Sequence, residues 1–279
     1  MKKRFLKISL IIIIGYAFII FADYLGFFEG INNYLYDLSF RLRGSIKHDE
    51  RILIVAIDEK TLSELGRWPL KRSYYSNLLN SLSEASAIGF DIIFSESSED
   101  DLSLAESIKR LGKVVLPIYI SKSGEITRPS EVFSFAKTGH VHVEPYTDGI
   151  TRKVFHHIIY RNTNLYSFAS VIYNIIIGKE SNSQFHNAKD DIFYNKIFQT
   201  NSMNINFYGP SGTFKHISFV DIIKNRYEKD FFRNKIVLVG LTASGLEERI
   251  IVPFTQQRDT ISGVEIHANI LNNLLDKIL

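Results

Sequence analysis

The charge-free stretch from Ile8 to Ala22, containing four consecutive isoleucines, constrains this chain more than any other feature. With its aromatic flanks from Phe5 to Phe28 it approaches the ~20 apolar residues that span a bilayer core as a helix. Lys2, Lys3, Arg4 and Lys7 lie on one side and Asp23 and Glu29 on the other, with Lys7 able to snorkel to the headgroups. The positive-inside bias then predicts a cytoplasmic N-terminus and an exported body. Cleavage as a signal peptide is disfavoured because Phe21-Ala22-Asp23 places a bulky residue where a small one is needed. A buried core helix is disfavoured by the adjoining basic cluster. The segmentation is therefore 1–28 as cytoplasmic terminus and single-pass anchor, and 29–279 as an extracytoplasmic domain.

Charge narrows the partners. Four of the 33 basic residues precede Asp23, and setting them aside leaves 29 basic against 30 acidic. The body is near neutral and has no Lys/Arg-rich run, so no nucleic acid is expected as a partner. Cysteine is absent, which removes disulfides and thiolate metal sites but chooses no compartment.

After the membrane segment, Ile31, Leu35, Leu38 and Leu42 recur at helical spacing, which predicts that the anchor helix continues until Gly44. Four apolar runs read as buried strands: Ile52–Ile57, Ile88–Phe94, Val114–Ile120 and Lys235–Val239. Helical character over Ser73–Ala85 and Leu102–Leu111 gives β-α-β-α-β spacing, hence an α/β fold with a mostly parallel sheet flanked by helices. Gly139–Tyr160 reads as an appended antiparallel hairpin about Thr147-Asp148-Gly149. Leu165–Ile177 reads as a helix, Lys179–Asn204 as a polar surface excursion, and Val264–Leu279 as a helix that reaches the last residue without a cap.

None of the GxGxxG, GxxxxGK[ST], GxSxG or HExxH patterns occurs. Asp58 and Glu59 fall at the carboxyl end of the first strand, Asp91 within the second and Glu96 after it, with Gly240 leaving the KIVLV strand. Ligands of open α/β sheets bind at that edge, so these residues could line one crevice. Asp58 is alternatively a helix cap, and capping is the favoured reading; Asp91 could instead pair with a buried partner. Gly240–Gly245 offers a weak phosphate loop. Trp68 with Arg72 could clamp an acidic ligand, although packing is the favoured role for a lone Trp before Pro. His140 and His142 share a strand face, and pairing about the turn could bring His157 opposite His140, a weak metal candidate. No cofactor is expected. A hydrolase using Asp58, Glu59 and Glu96 is a distant alternative.

These segments resemble a known family, the second type of CHASE domain, a sensory extracellular module of bacterial cyclases and histidine kinases. The matching segments are YDLSFRLRG (Tyr36–Gly44), ILIVAIDEKTLSELGRWPLKR (Ile52–Arg72), GFDIIFSE (Gly89–Glu96), GHV with DGITR (Gly139–Val141, Asp148–Arg152), KIVLVGLTASGLEE (Lys235–Glu248) and GVEIHANILNNLL (Gly263–Leu275). The last contains His267, which completes the candidate ligand-binding set. Leu70 stands where the family has a second aromatic after Trp-Pro. The resemblance implies a membrane-anchored sensor rather than an enzyme, responding to an unknown periplasmic small-molecule or protein stimulus, homodimeric, and in similar proteins followed by further membrane helices and a cyclase or kinase output. With the chain stopping where such a helix would follow, it reads as a fragment or a standalone sensor. A membrane-anchored scaffold without signalling output is the other reading.

Overall fold

The computed structural model describes residues 2–24, 26–121, 124–160, 163–179, 189–193, 196–247, 249–254 and 260–277. The chain divides into two compact units, residues 1–44 and 45–279.

The first unit is helical. Helix α1 (Lys2–Tyr24) carries the apolar run, and α2 (Glu29–Arg43) carries the one-sided pattern. The expected continuous helix is interrupted: Gly26 takes a left-handed φ of 73° and its N–H donates to the Asp23 carbonyl, closing a turn before α2 begins. A side chain there would be strained, so glycine is what permits the break.

The second unit is built on parallel β-α-β connections. It runs through β1 (Ile52–Ile57), α3 (Glu59–Leu65), α4 (Arg72–Ser81), β2 (Ala87–Asp91), α5 (Asp101–Leu111), β3 (Val114–Ile120), the short β4 (Ile126–Thr127) and β5 (Lys137–His140). Next come β6 (Val143–Pro145), β7 (Thr151–Tyr160), β8 (Thr163–Tyr166), α6 (Phe168–Ile176), β9 (Lys189–Phe193) and β10 (Lys196–Asn204). The chain then returns through β11 (Lys215–Ser218), α7 (Phe219–Ile223), β12 (Ile236–Leu241), β13 (Arg249–Ile250), β14 (Ile261–Ser262) and α8 (Gly263–Leu275).

Among the described residues, seven strands form the main sheet in the order β11-β1-β12-β2-β3-β4, with β5 also on β3. All its pairings are parallel except β3 with β4. Residues 52–57 are buried throughout, as a strand covered on both faces requires. One face packs Leu53, Val55, Val237 and Val239 against α4, α5 and α7 through Tyr75, Leu78, Leu104 and Phe219. The other face is covered by α6 and α8, and three strand glycines admit those helices. A Cβ at Gly89 would lie 2.5 Å from Ile172 Cδ1, one at Gly139 2.6 Å from Phe168 Cα, and one at Gly240 2.5 Å from Val264 Cβ. Such distances exclude any larger residue without moving a helix.

A second, antiparallel sheet orders β6-β7-β10-β9 with β8 also on β7. The expected hairpin exists, but only from Val143, which pairs with Val154 across the Gly149 turn. Gly139 and His140 instead join the parallel sheet beside β3. The expected surface excursion also differs: residues 189–193 and 196–204 form strands that extend this sheet from β7, whereas 180–188 and 194–195 lie outside the described residues. A backbone ladder supplies that pairing without the apolar alternation sought in the sequence.

Candidate functional site

Three groups of side chains occupy the carboxyl edge of the main sheet and its loops. The first surrounds the end of β1. Asp58 caps α3: its Oδ1 accepts from the Thr61 N–H (2.8 Å), the Thr61 hydroxyl (2.7 Å) and the Ser218 hydroxyl (2.8 Å). These three donors occupy the carboxylate as a cap does. Glu59 Oε1 accepts the Ser244 N–H at 2.9 Å, and that bond, chief among several, holds its carboxyl below the usual range. Arg249 closes the loop after β12 by pairing with Glu247, whose side chain is almost wholly buried. That burial pushes the Glu247 carboxyl up, against the pull of Arg249.

The second group is a scaffold. Arg72 Nε donates to Asp101 Oδ1 at 3.1 Å, its Nη2 donates to the Glu96 carbonyl at 3.2 Å, and its guanidinium lies 4.5 Å from the Phe94 ring centre. Trp68 is half-buried against the core and the Glu96 side chain is exposed. Arg72 thus fastens the loop after β2 to α4 and α5.

The third group is the most unusual electrostatically. Asp91 ends β2 with its carboxylate 4.0 Å from His267 Nε2 on the second turn of α8. Burial pushes Asp91 up to about 7 and His267 down to about 4. The first turn of α8 abuts the same carboxylate: a Cβ on Gly263 would sit 3.3 Å from Asp91 Oδ2. His140, at the end of β5, is buried with neither ring nitrogen hydrogen-bonded, and Ser262 Oγ is likewise buried and unpartnered. Burial first, then the fields of His142, His267, His156 and His157, hold His140 well below its ordinary value. Burial thus favours the neutral forms of all three, Asp91, His267 and His140, where a buried charge would be costly.

Of the residues singled out from sequence, the structure gathers Asp91, His267 and His140, while Asp58 and Glu59 belong to one neighbouring cluster and Trp68, Arg72 and Glu96 to another. Gly240 is occupied by the close approach of Val264. Of the three metal candidates, His142 Nε2 lies 3.0 Å from Glu144 Oε2 and His157 Nε2 lies 3.1 Å from Asn164 Oδ1. Among the described residues, no three His, Cys, Asp or Glu are grouped to hold a metal ion.

Sequence reading missed an asparagine ladder on α8. Asn269 Oδ1 accepts the Tyr208 N–H (2.9 Å), Asn272 Oδ1 the Asp49 N–H (2.7 Å), and Asn273 Oδ1 the Asn206 N–H (2.7 Å). The Ile46 N–H donates to the Tyr208 carbonyl at 2.8 Å, so the segment following Gly44 and helix α8 share one network. Three asparagines among the apolar residues of α8 were the available signal, since buried amides need partners.

A family model for the CHASE2 domain matches residues 11–279. The chain belongs to the CHASE2 family. CHASE2 domains are extracellular sensory modules, not catalytic ones, and the one described helix apolar enough to cross a membrane, Lys7–Tyr24, has none of that stretch buried. No curated protein and no solved structure gives a significant match.

Proposed function

We propose that this CHASE2 chain is the input module of a bacterial signal-transduction protein, held in the inner membrane by α1 with its N-terminus cytoplasmic and its body outside. The carrying observation is an unburied apolar helix with basic residues before it, leading into a sensory domain. The asparagine ladder supports a relay: a stimulus that favours one arrangement of the body would move α8 and the Ser45–Asp49 segment together. Such coupling requires the stimulus to bind the two arrangements with different affinity. By the same family association the working unit is a homodimer, and the output is a cyclase or a kinase.

Reporter fusions at Leu279 test the orientation. Alkaline phosphatase there is expected to be active and a fluorescent protein dark; the reverse pattern would sink the proposal. The absence of cysteine makes a single Ile31→Cys variant an unambiguous probe of the dimer. A disulfide-linked species of twice the mass in membranes is expected, and a monomer at every cysteine placed along α2 would remove the dimer.

A further inference from the structure

At the opposite edge of the main sheet, where β5 begins and α5 and α6 end, lies a cavity of about 380 Å³. Its volume falls within the range of small-molecule pockets, roughly 300–1,000 Å³. Gly112 (φ 64°) and Gly178 (φ 66°), which turn the chain through left-handed conformations after α5 and α6, form part of its lining. Lys137, Lys179 and Asn174 line it together with Val171 and Ile175, which supply an apolar wall. Among the described residues, no acidic residue lines it and the Lys137, Lys179 and Asn174 side chains have no hydrogen-bond or ion-pair partner.

A cation just beyond a helix C-terminus is expected for electrostatic reasons alone, and that accounts for Lys179. It does not account for Lys137, which opens a strand, or for the idle Asn174 amide. Two positive charges that no described carboxylate offsets, in a concave site with an amide donor and an aliphatic wall, match one chemistry. We infer that the cavity binds a small aliphatic carboxylate, its head against Lys137 and Lys179 and its chain against Val171 and Ile175. Inorganic phosphate would leave the apolar wall uncovered, and an organic ammonium would meet two like charges.

The inference goes beyond the sensory reading, because binding is measured without any signalling output. Calorimetric titration of the full chain in detergent with butyrate, n-butylammonium and inorganic phosphate tests it. Butyrate is expected to bind, and Lys137→Ala or Lys179→Ala, both at exposed positions that should leave the fold intact by circular dichroism, each to weaken it about tenfold, as loss of a charge-assisted hydrogen bond does. The inference fails if butyrate gives no binding or binds no better than butylammonium. It fails equally if phosphate binds more tightly than butyrate, or if the folded Lys137→Ala/Lys179→Ala double variant keeps the wild-type affinity.

Discussion

Replacing Asp91 with asparagine should stabilise this domain, and more so as pH rises. Burial lifts the Asp91 carboxyl from 3.8 to about 7. Below 3.8 the group is protonated in both folded and unfolded chains and contributes no difference. Between 3.8 and 7 the unfolded chain releases the proton that the folded chain keeps, so stability falls as pH rises through that window. At pH 8 the whole difference is expressed, about 4 kcal/mol at 1.36 kcal/mol per tenfold change in proton affinity. With 20% of the side chain exposed, water relieves part of that, and about 2–3 kcal/mol is the working figure. An asparagine side chain has the shape of the protonated acid and cannot ionise. The Asp91→Asn variant should therefore exceed wild type by about 2–3 kcal/mol at pH 8, some 5–10 °C in Tm for a body of this size, and by only about 1 kcal/mol at pH 5. Denaturant titrations in detergent at pH 5, 6, 7 and 8 measure the gap. If the variant is less stable than wild type at pH 8, or if the gap stays constant with pH, Asp91 is ionised in the fold and paired with a protonated His267. The histidines give the opposite slope: His156 and His267, pushed by burial from 6.5 to about 4, refuse protons that the unfolded chain accepts. Stability should thus fall as pH drops from 6.5 to 4, in wild type and in Asp91→Asn alike.

Three further outcomes follow from the packing. Gly240→Ala should cost about 1–3 kcal/mol by overpacking against α8, and Val264→Ala should not relieve it, because the clash is with the Val264 Cβ itself; thermal unfolding of the double variant decides. Asn272→Leu should cost about 1–3 kcal/mol, since the Asp49 N–H loses its acceptor, and proton exchange at that amide should accelerate relative to the β1 amides. Arg72→Lys should destabilise by about 1–3 kcal/mol despite keeping the charge, because an ammonium cannot hold Asp101 and the Glu96 carbonyl while stacking on Phe94, and Arg72→Ala should cost more. Denaturant midpoints would refute this if the lysine variant matched wild type.

The parts of this fold legible in the sequence are those in which a local pattern and a buried environment agree. A six-residue apolar run rich in β-branched residues, such as Ile52–Ile57, is too short for a helix and suits a strand covered on both faces, which is what β1 is. The break at Gly26 escaped because an apolar run before it and helical spacing from Ile31 after it suit a continuous helix equally well, and only the left-handed φ separates the two. The strands within 189–204 escaped for a related reason: their pairing with β7 comes from backbone bonds to a distant segment, which leaves no period in the sequence.

The candidate site shows the same limit more sharply. Asp91, His140 and His267 are 49 and 127 residues apart along the chain, and nothing in their local sequences distinguishes them from capping or surface residues. What joins them is the pair of helices that glycines admit to one face of the sheet: α6 over Gly89 and Gly139, α8 over Gly240. Each glycine lies within two strand residues or one turn of a cluster member, Gly89 before Asp91, Gly139 before His140 and Gly240 beneath the first turn of the helix bearing His267. These three glycines, of which only Gly240 suggested a ligand loop from sequence, therefore act one step earlier, by bringing an aspartate and two histidines into a space too dry to let them ionise freely. A larger residue at any of the three would shift a helix and admit water, so the proton affinities of Asp91 and His267 should move back towards 3.8 and 6.5 before any contact of those side chains is itself altered. Nuclear magnetic resonance titration of His267 in Gly89→Ala separates the two cases: a value unchanged from wild type would mean that burial by α6 and α8 does not set the chemistry of this cluster.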